Sequence, residues 1–425
     1  MALVELDQQE FLAFSQHHPH ALFFQSPYWL EVKSGNGWYG KLLGFKEDGV
    51  LVAATALLFK RVSGLNVTFA YAPRGFLLDY SDLGLLERFT AGLKTYLQEK
   101  KVAFLKVNPY VDYQKRDVDG QIVPHTKNDA LMDQFRALGY RHHGFYVDMD
   151  HKTDLEPRWI SVLDLSGKTM EDIYGGLRSG TKWGVNNSRK NFLTVIEADE
   201  SNIGVFKQLM QHTADRRGFL DRPLSYYREM FSVLNRANAV KVLYVQIDFK
   251  ALLDYTSDRF EKNRQRLEKI ASNPKKVREA AEITSEQESL EKRISTLRQD
   301  VQTHGDKKII AGGWYMLYGR EVVYLFGASY KPFMRYNSQY LLQYEMIQYA
   351  IDHGYERFNF YGIDGNFSED SPNFGLFDFK RGFGAEVHEL IGEFDLIVSK
   401  PKFHLYQMAF ATLKKLKNLK NKFRS

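Results

Sequence analysis

Cysteine is missing from all 425 residues, which excludes disulfides, thiolate nucleophiles and cysteine-based metal sites. The twelve histidines show no metal-ligand spacing, so no metal is expected, and His17, His18 and His20 read as decoration of a loop. Long hydrophobic runs are missing too. The longest, Val50 to Phe59, has about half of the roughly 20 residues that a membrane span needs. The opening Met-Ala-Leu-Val-Glu-Leu-Asp lacks the basic start and apolar core of a secretory signal, so a cytoplasmic location is the expectation. No glycine-rich loop of the Gln/Arg-x-x-Gly-x-Gly/Ala type precedes a helix. Gly175, Gly176 and Gly180 lack the spacing, and Gly382 and Gly384 have no helix signal after them. Without such a loop to hold a pyrophosphate on backbone N–H groups, coenzyme A is disfavoured as a donor.

What is present is aromatic and mildly basic. Phe (31) and Tyr (25) lift the aromatic share to 14%, enough for deep cores or broad concave ligand surfaces. The length suits two to three domains. A formal charge of +6 fits polyanionic partners without requiring them. Part of that charge is concentrated at the end: Lys414 to Arg424 holds six basic residues and no acidic ones, interleaved with Leu413, Leu416, Leu419 and Phe423. Residues 401–425 therefore read as a basic amphipathic helix suited to the anionic surface of a membrane, or else as a solvated tail.

Charge dominates residues 250–307, with apolar positions in a heptad rhythm. Ala280, Ile283, Gln287, Leu290, Ile294, Leu297 and Val301 alternate in steps of three and four, and Leu253, Phe260 and Leu267 stand one heptad apart. Pro274 stops the first helix. The pattern predicts an antiparallel coiled-coil hairpin whose longer arm spans about 42 Å at 1.5 Å per residue. Ala239 to Ile247 and Ile309 to Leu317 read as strands on either side, so the hairpin interrupts a sheet. Basic residues only slightly outnumber acidic ones along it, which suits a structural arm as well as one that contacts RNA.

Along the rest of the chain one order occurs twice. Strands at Trp38 to Phe45, Val50 to Val62 and Thr68 to Tyr71 lead to a helix from Asp82 and a buried strand Val102 to Asn108. Later, Ala239 to Ile247, Ile309 to Leu317 and Glu321 to Phe326 lead to a helix from Asn337 and a strand Arg357 to Tyr361. The predicted fold class is α/β (α+β), two tandem acetyltransferase-like (GNAT-like) domains at residues 1–154 and 155–400, with the hairpin grown from the second.

Three clusters carry chemistry. Trp29 and Lys33, with Tyr71-Ala72-Pro73-Arg74-Gly75, bring Lys33 and Arg74 to one cleft. Arg216, Arg217 and Arg222 surround a turn and suit bidentate phosphate contacts. The third pairs Asn359-Phe360-Tyr361-Gly362-Ile363-Asp364 with Phe377-Asp378-Phe379-Lys380, a lysine set among aromatics either as a snorkelling edge residue or as a charge held at low dielectric.

At these residues the chain resembles the Fem ligases, the peptidoglycan-branching aminoacyltransferases, over essentially its whole length. The matches are Trp29 with Lys33, Tyr71 to Gly75, Asp215 to Tyr227, Asn359 to Gly365, and Phe379-Lys380. The resemblance implies transfer of an amino acid from aminoacyl-tRNA, as co-substrate and with no cofactor, to an amino group on the stem peptide or growing bridge of lipid II or a UDP-linked muropeptide. It implies that Lys33 and Arg222 hold a diphosphate and that Lys380, after Phe379, takes part in the reaction. Arg74, Tyr361 and Asp364, which lie in the matched stretches, are further candidates for substrate contact, and Phe326 falls where some relatives have a tyrosine near the substrate. Asn108 falls where many have aspartate, and an amide cannot act as a base there. The alternatives are a coenzyme A-dependent N-acyltransferase of the same fold and a non-catalytic wall-synthesis scaffold.

Overall fold

A computed structural model describes residues 2–149 and 156–422, with side chains through residue 412. The expected division at 154/155 and the apolar and basic side chains from Leu413 to Arg424 lie outside the described residues. Among those described, fifteen strands occur: β1 (Ala2–Glu5), β2 (Tyr39–Glu47), β3 (Val50–Val62), β4 (Val67–Ala72), β5 (Phe104–Val107), β6 (Asp112–Lys115), β7 (Tyr140–His142), β8 (Trp159–Asp164), β9 (Leu193–Glu197), β10 (Val240–Asp248), β11 (Lys307–Tyr318), β12 (Glu321–Ser329), β13 (Arg357–Gly362), β14 (Glu386–Leu390) and β15 (Phe394–Ile397).

The strands build two sheets, ordered β1-β2-β3-β4-β5-β15-β7 and β6-β14-β8-β13-β12-β11-β10-β9. Each contains one parallel pair joined by a crossover helix: Leu83–Glu99 between β4 and β5, and Ser338–Asp352 between β12 and β13. Asp82 starts the first of these helices by accepting a hydrogen bond from the N–H of Leu85. Both pairs stay in register for only three residues, ending at Ala72↔Val107 and Val323↔Asn359. Beyond that, β12 follows β11 alone while β13 bends, through a bulge at Asn359/Tyr361, toward β8. β12 and β13 thus diverge, with Tyr361 beyond their last pair, and Asn108 stands just after the last pair of β4 and β5.

Two short segments cross the expected division of the chain. β6 closes the edge of the second sheet against β14, and β15 is seated in the first sheet between β5 and β7. The seat of β15 is charged as well as apolar. Lys106 on β5 pairs with Glu393 and lies 3.4 Å from Asp395, while His143 bridges the same two carboxylates at 3.3 and 2.8 Å.

The hairpin grows from the β10–β11 turn. Asp248, paired with Lys307, caps the helix Phe249–Ile270; Asn273 and Pro274 make the tip, and the helix Val277–His304 returns to β11. Ile283, Leu290, Ile294 and Leu297 are the buried positions of the returning helix and belong to the expected seam, whereas the outgoing helix buries Leu252, Thr256 and Ile270 and leaves the expected Leu253, Phe260 and Leu267 only partly buried. Arg266–Glu279 at 2.6 Å and Arg259–Glu286 tie the two helices together.

Phe394 has no solvent exposure and stacks on Phe135 with ring centres 4.6 Å apart. Phe394→Ala is expected to cost about 3–5 kcal/mol. Because β15 ties the far end of the chain into the first sheet, urea denaturation should show one transition at lower midpoint; a loss under about 1 kcal/mol would contradict this role for the strand.

Candidate active site

The cleft begins with the helix Pro27–Ser34. Ser26 caps it by accepting from the N–H of Trp29, and Pro27 takes the first position, where no N–H is needed. Trp29 and Lys33 then share one face at i,i+4, with the Lys33 ammonium 4.5 Å from the indole centre. Burial pushes Lys33 down to about 8; Glu156 opposes that shift, while Arg222 and Lys60 add to it.

Arg222 stands on the turn between the helices Ile203–Arg217 and Leu224–Arg236. Asp221 folds that turn by accepting from the backbone N–H of Arg222 at 2.7 Å and from the Tyr227 hydroxyl at 2.7 Å, and it pairs with Lys207. The Arg222 guanidinium lies 4.6 Å over the Tyr226 ring. Of the three arginines in this cluster, it is the one whose charge acts on Lys33. Phe326 on β12 packs edge-on against Tyr227.

Arg74 is 2% exposed and left-handed at φ 55°. Asn108 holds that conformation by accepting from the Arg74 N–H at 2.9 Å, while its own amide donates to Tyr71 at 3.2 Å. The guanidinium donates to the Pro157 carbonyl at 2.7 Å, and its Nε has no partner. Asn108 is therefore a brace for Arg74, reached through the parallel strands β4 and β5.

Tyr361 lies on the other wall, also left-handed at φ 65°, with Asn359 accepting from its N–H at 2.7 Å. Its ring stacks on Phe24, which in turn meets Trp29. Its hydroxyl donates to Glu156. Its carbonyl, with that of Gly362, accepts from Lys380 at 3.2 and 2.6 Å. Lys380, on the helix Phe374–Arg381, is 3% exposed, and burial brings it down to about 7. This is the low-dielectric alternative of the two that the sequence left open.

Lys33, Arg74, Arg222 and Tyr361 thus surround one space, with Asn108 behind Arg74, Phe326 beside Tyr227 and Lys380 behind the Tyr361 backbone. Two expected residues point elsewhere. Phe379 packs on Tyr340 and Phe383, and Asp364 braces loops by accepting from the Met149 N–H and the Asn373 amide, both at 2.7 Å. Glu156 was not foreseen. Its signal in the sequence is one acid before Pro157, with no periodicity to mark it. Lys60, which extends the basic wall 5.0 Å over Trp38, lies near the end of a long strand and was also missed. Nor is His20 a surface decoration, since it is partly buried with a ring nitrogen 3.1 Å from the Tyr110 carbonyl. Among the described residues no group of His, Asp and Glu is placed to hold a metal ion.

The chain as a whole is similar to known proteins. The sequence model of the FemAB family matches residues 6–410. Aminoacyltransferase FemA of Staphylococcus aureus (strain MRSA252) is 30% identical over 423 residues, covering 98% of this chain and 99% of the relative. Its counterpart in Staphylococcus epidermidis is 29% identical, covering 98% and 100%. Among solved structures, the crystal structure of FemX superimposes with a TM-score of 0.76 at 27% identity, covering 95% of this chain and 99% of that one.

Lys380 has a sign-definite effect on stability. Its folded pKa of about 7 lies below the unfolded value near 10.4, so in that window the unfolded chain binds more protons and stability rises with pH. In Lys380→Met that contribution is gone. The difference in unfolding free energy between variant and wild type should shift in favour of wild type from about pH 7 to about pH 9; parallel curves would refute the burial effect.

Proposed function

The chain belongs to the FemAB family and is an aminoacyltransferase; on that premise we propose that it moves an amino acid from its tRNA ester to an amino group on the peptide of lipid II, at the inner face of the membrane. The observation that carries the finer reading is the basic space enclosed by Lys33, Arg74 and Arg222, backed by the buried ammonium of Lys380. Two cations of different shape, the compact ammonium of Lys33 and the planar guanidinium of Arg222, suit the oxygens of a diphosphate. Phe326, Tyr226 and Tyr227 give that site an apolar wall.

The chemistry follows from the ester. The acceptor amine attacks the ester carbonyl carbon, the C–N bond forms, and the C–O bond to the ribose breaks with the electron pair leaving on the ribose oxygen. The ester supplies the driving force for the amide. The protein's task is to position two substrates and stabilise the oxyanion between these steps. Lys380 suits that task because its ammonium is already aimed at oxygen atoms at 2.6 and 3.2 Å, in a site where burial magnifies its charge. Phe379, packed on Tyr340 and Phe383, lines the same helix without reaching the reacting atoms. The segment Tyr330–Asn337, which joins β12 to its crossover helix, contains no glycine, which supports tRNA over coenzyme A as the carrier.

The arm is assigned to the tRNA. The terminal helix Lys400–Lys422 is assigned to the membrane surface that bears the acceptor; among the described residues no helix is long and apolar enough to cross a membrane. Wild-type protein given lipid II and a set of charged tRNAs should yield a product heavier by the transferred residue, read by mass spectrometry. Lys380→Ala is expected to lower kcat by about 10²–10³ with the fold intact, and Lys33→Ala to raise KM for the acceptor. Unchanged turnover in Lys380→Ala would remove that lysine from the mechanism.

Asp248 and Lys307 are paired neighbours, so a short turn can replace the arm without disturbing β10 or β11. The trimmed protein should bind aminoacyl-tRNA at least tenfold more weakly in a filter-binding assay while its affinity for the acceptor is unchanged. Equal tRNA affinity would assign the arm to another partner.

A further inference from the structure

The aminoacyl-transfer reading leaves one requirement unassigned. At neutral pH the acceptor is an ammonium ion, whether a lysine side chain with an ordinary pKa near 10.4 or a terminal amine near 8, and it must lose a proton before it can attack. Asn108 cannot take that proton. Lys380 directs its own hydrogens at two carbonyls. Glu229, which acts on Tyr226, is exposed, and other carboxylates around the cleft are committed. Asp221 holds Lys207 and Tyr227, Asp364 holds the Met149 and Asn373 nitrogens, and Glu393 and Asp395 share Lys106 and His143.

Glu156 differs from all of these. It stands between the basic wall and Tyr361. One oxygen, Oε2, accepts the Tyr361 hydroxyl, and no cation among the described residues lies within ion-pair distance of the carboxylate. The groups that face it come from every side of the cleft: Lys33 on the first wall, Tyr71 and Arg74 from β4 and the loop after it, Arg222 and Tyr226 from the opposite turn, and Tyr361 from β13. Its partner Tyr361 is the residue whose carbonyl holds Lys380, so the carboxylate and the buried ammonium are supported from the two sides of one backbone position.

We propose that Glu156 is the group that pairs with the acceptor ammonium and takes its proton, in the transfer reaction assigned above to this cleft. The first proton passes from the ammonium nitrogen to the Glu156 carboxylate, and the freed lone pair forms the C–N bond. When the C–O bond breaks, the ribose oxygen takes the second proton from the same nitrogen, and Glu156 returns the first to solvent. The surroundings favour this use. Burial raises the carboxyl above its ordinary range, against the pull of Arg74, Lys33 and Arg222. A diphosphate bound to Lys33 and Arg222 offsets those charges and raises it further. Seating the acceptor thereby makes Glu156 a stronger base when its proton has to be taken, while the Tyr361 hydroxyl keeps the carboxylate from swinging onto Arg74.

The test is Glu156→Gln, which keeps an oxygen for the Tyr361 hydroxyl and removes the basicity, with Glu156→Asp as a second variant that retains the charge. Rates of transfer to lipid II are measured from about pH 6 to about pH 9, with the acceptor dissociation constant measured separately by calorimetry. The expected result for the Gln variant is a fall in kcat of about 10² near neutrality, an acceptor affinity within threefold of wild type, and a rate that climbs about tenfold per pH unit where wild type levels off. The Asp variant should keep the wild-type shape at reduced rate. If Glu156 only braced Tyr361, the Gln variant would keep both rate and pH profile. If it only stood in for an anion, that variant would bind acceptor more tightly at unchanged kcat. Either outcome overturns the proposal. A wild-type enzyme that forms no product overturns the transfer reading with it, whereas an active wild type with an equally active Gln variant overturns this assignment alone.

Discussion

The candidate site depends on a lysine placed where lysine is costly. Lys380 is 3% exposed and no carboxylate pairs with it among the described residues; two backbone carbonyls stabilise its charge. Those carbonyls are available because β13 leaves β12 after three residue pairs and turns through a bulge, with Tyr361 forced to positive φ and pinned by Asn359. A regular sheet would direct the same groups into a ladder. The divergence of two parallel strands therefore sets the position of the ammonium, the direction of the Tyr361 ring and the opening between the walls.

That strained corner is held by buried charge. Glu321 at the start of β12 has no solvent exposure and accepts from Tyr110 at 2.8 Å and from Asn359 at 2.6 Å, while Arg357 lies 2.9 Å away. Tyr110 belongs to the first half of the chain and Asn359 to the second, so the residue that pins Tyr361 is itself fixed by contact across the halves. Asn108 does the same for Arg74 on the opposite wall. Removing one partner of such a network leaves an uncompensated polar group, which costs more than the contact contributed. The exchanged strands β6 and β15 act to the same end, since neither sheet is complete without residues from the other half.

Much of this was legible where the signal was local. Asp7, Ser26 and Asp82 mark helix starts and act as N-caps; four of the expected seam positions on the returning helix of the arm are buried, Ile283, Leu290, Ile294 and Leu297; Trp29 and Lys33 meet because they stand four positions apart on a helix. The repeated order of strands and helix located Asn108 and Tyr361 at equivalent ends. What escaped has a common physical reason. β1, β6, β14 and β15 are only four or five residues long, too short to show alternation, and their pairing partners lie tens to hundreds of residues away. Glu156 escaped because an isolated acid in a connecting segment acquires meaning only when Tyr361 and Arg74 close around it. Asp364 misled for the converse reason: a loop carboxylate beside a functional run is just as suited to capping neighbouring backbone.

The arm shows how charge content and available charge differ. Many of its basic side chains are matched internally: Lys250 with Asp254, Lys262 with Asp258, Arg264 with Glu261 and Glu268, Arg278 with Glu282, and Arg259 and Arg266 across the hairpin. Exposed pairs of this kind add little stability, but they lower the potential that a phosphate backbone would feel along the shaft. At the base of the arm one pairing is with a neutral side chain. There Arg293 donates to the neutral amide of Asn191 at 2.6 Å, and with Arg335, Asn187 and Tyr336 it lines a groove of about 270 Å³ beside the second sheet. Arg335 is shared with Asp300, so Arg293 is the arginine in that groove bonded to a neutral partner. Lys269 and Lys275 near the tip and Lys292 and Arg298 on the returning helix have no ion pair among the described residues either, so unmatched positive charge is spread along the arm rather than gathered at one end.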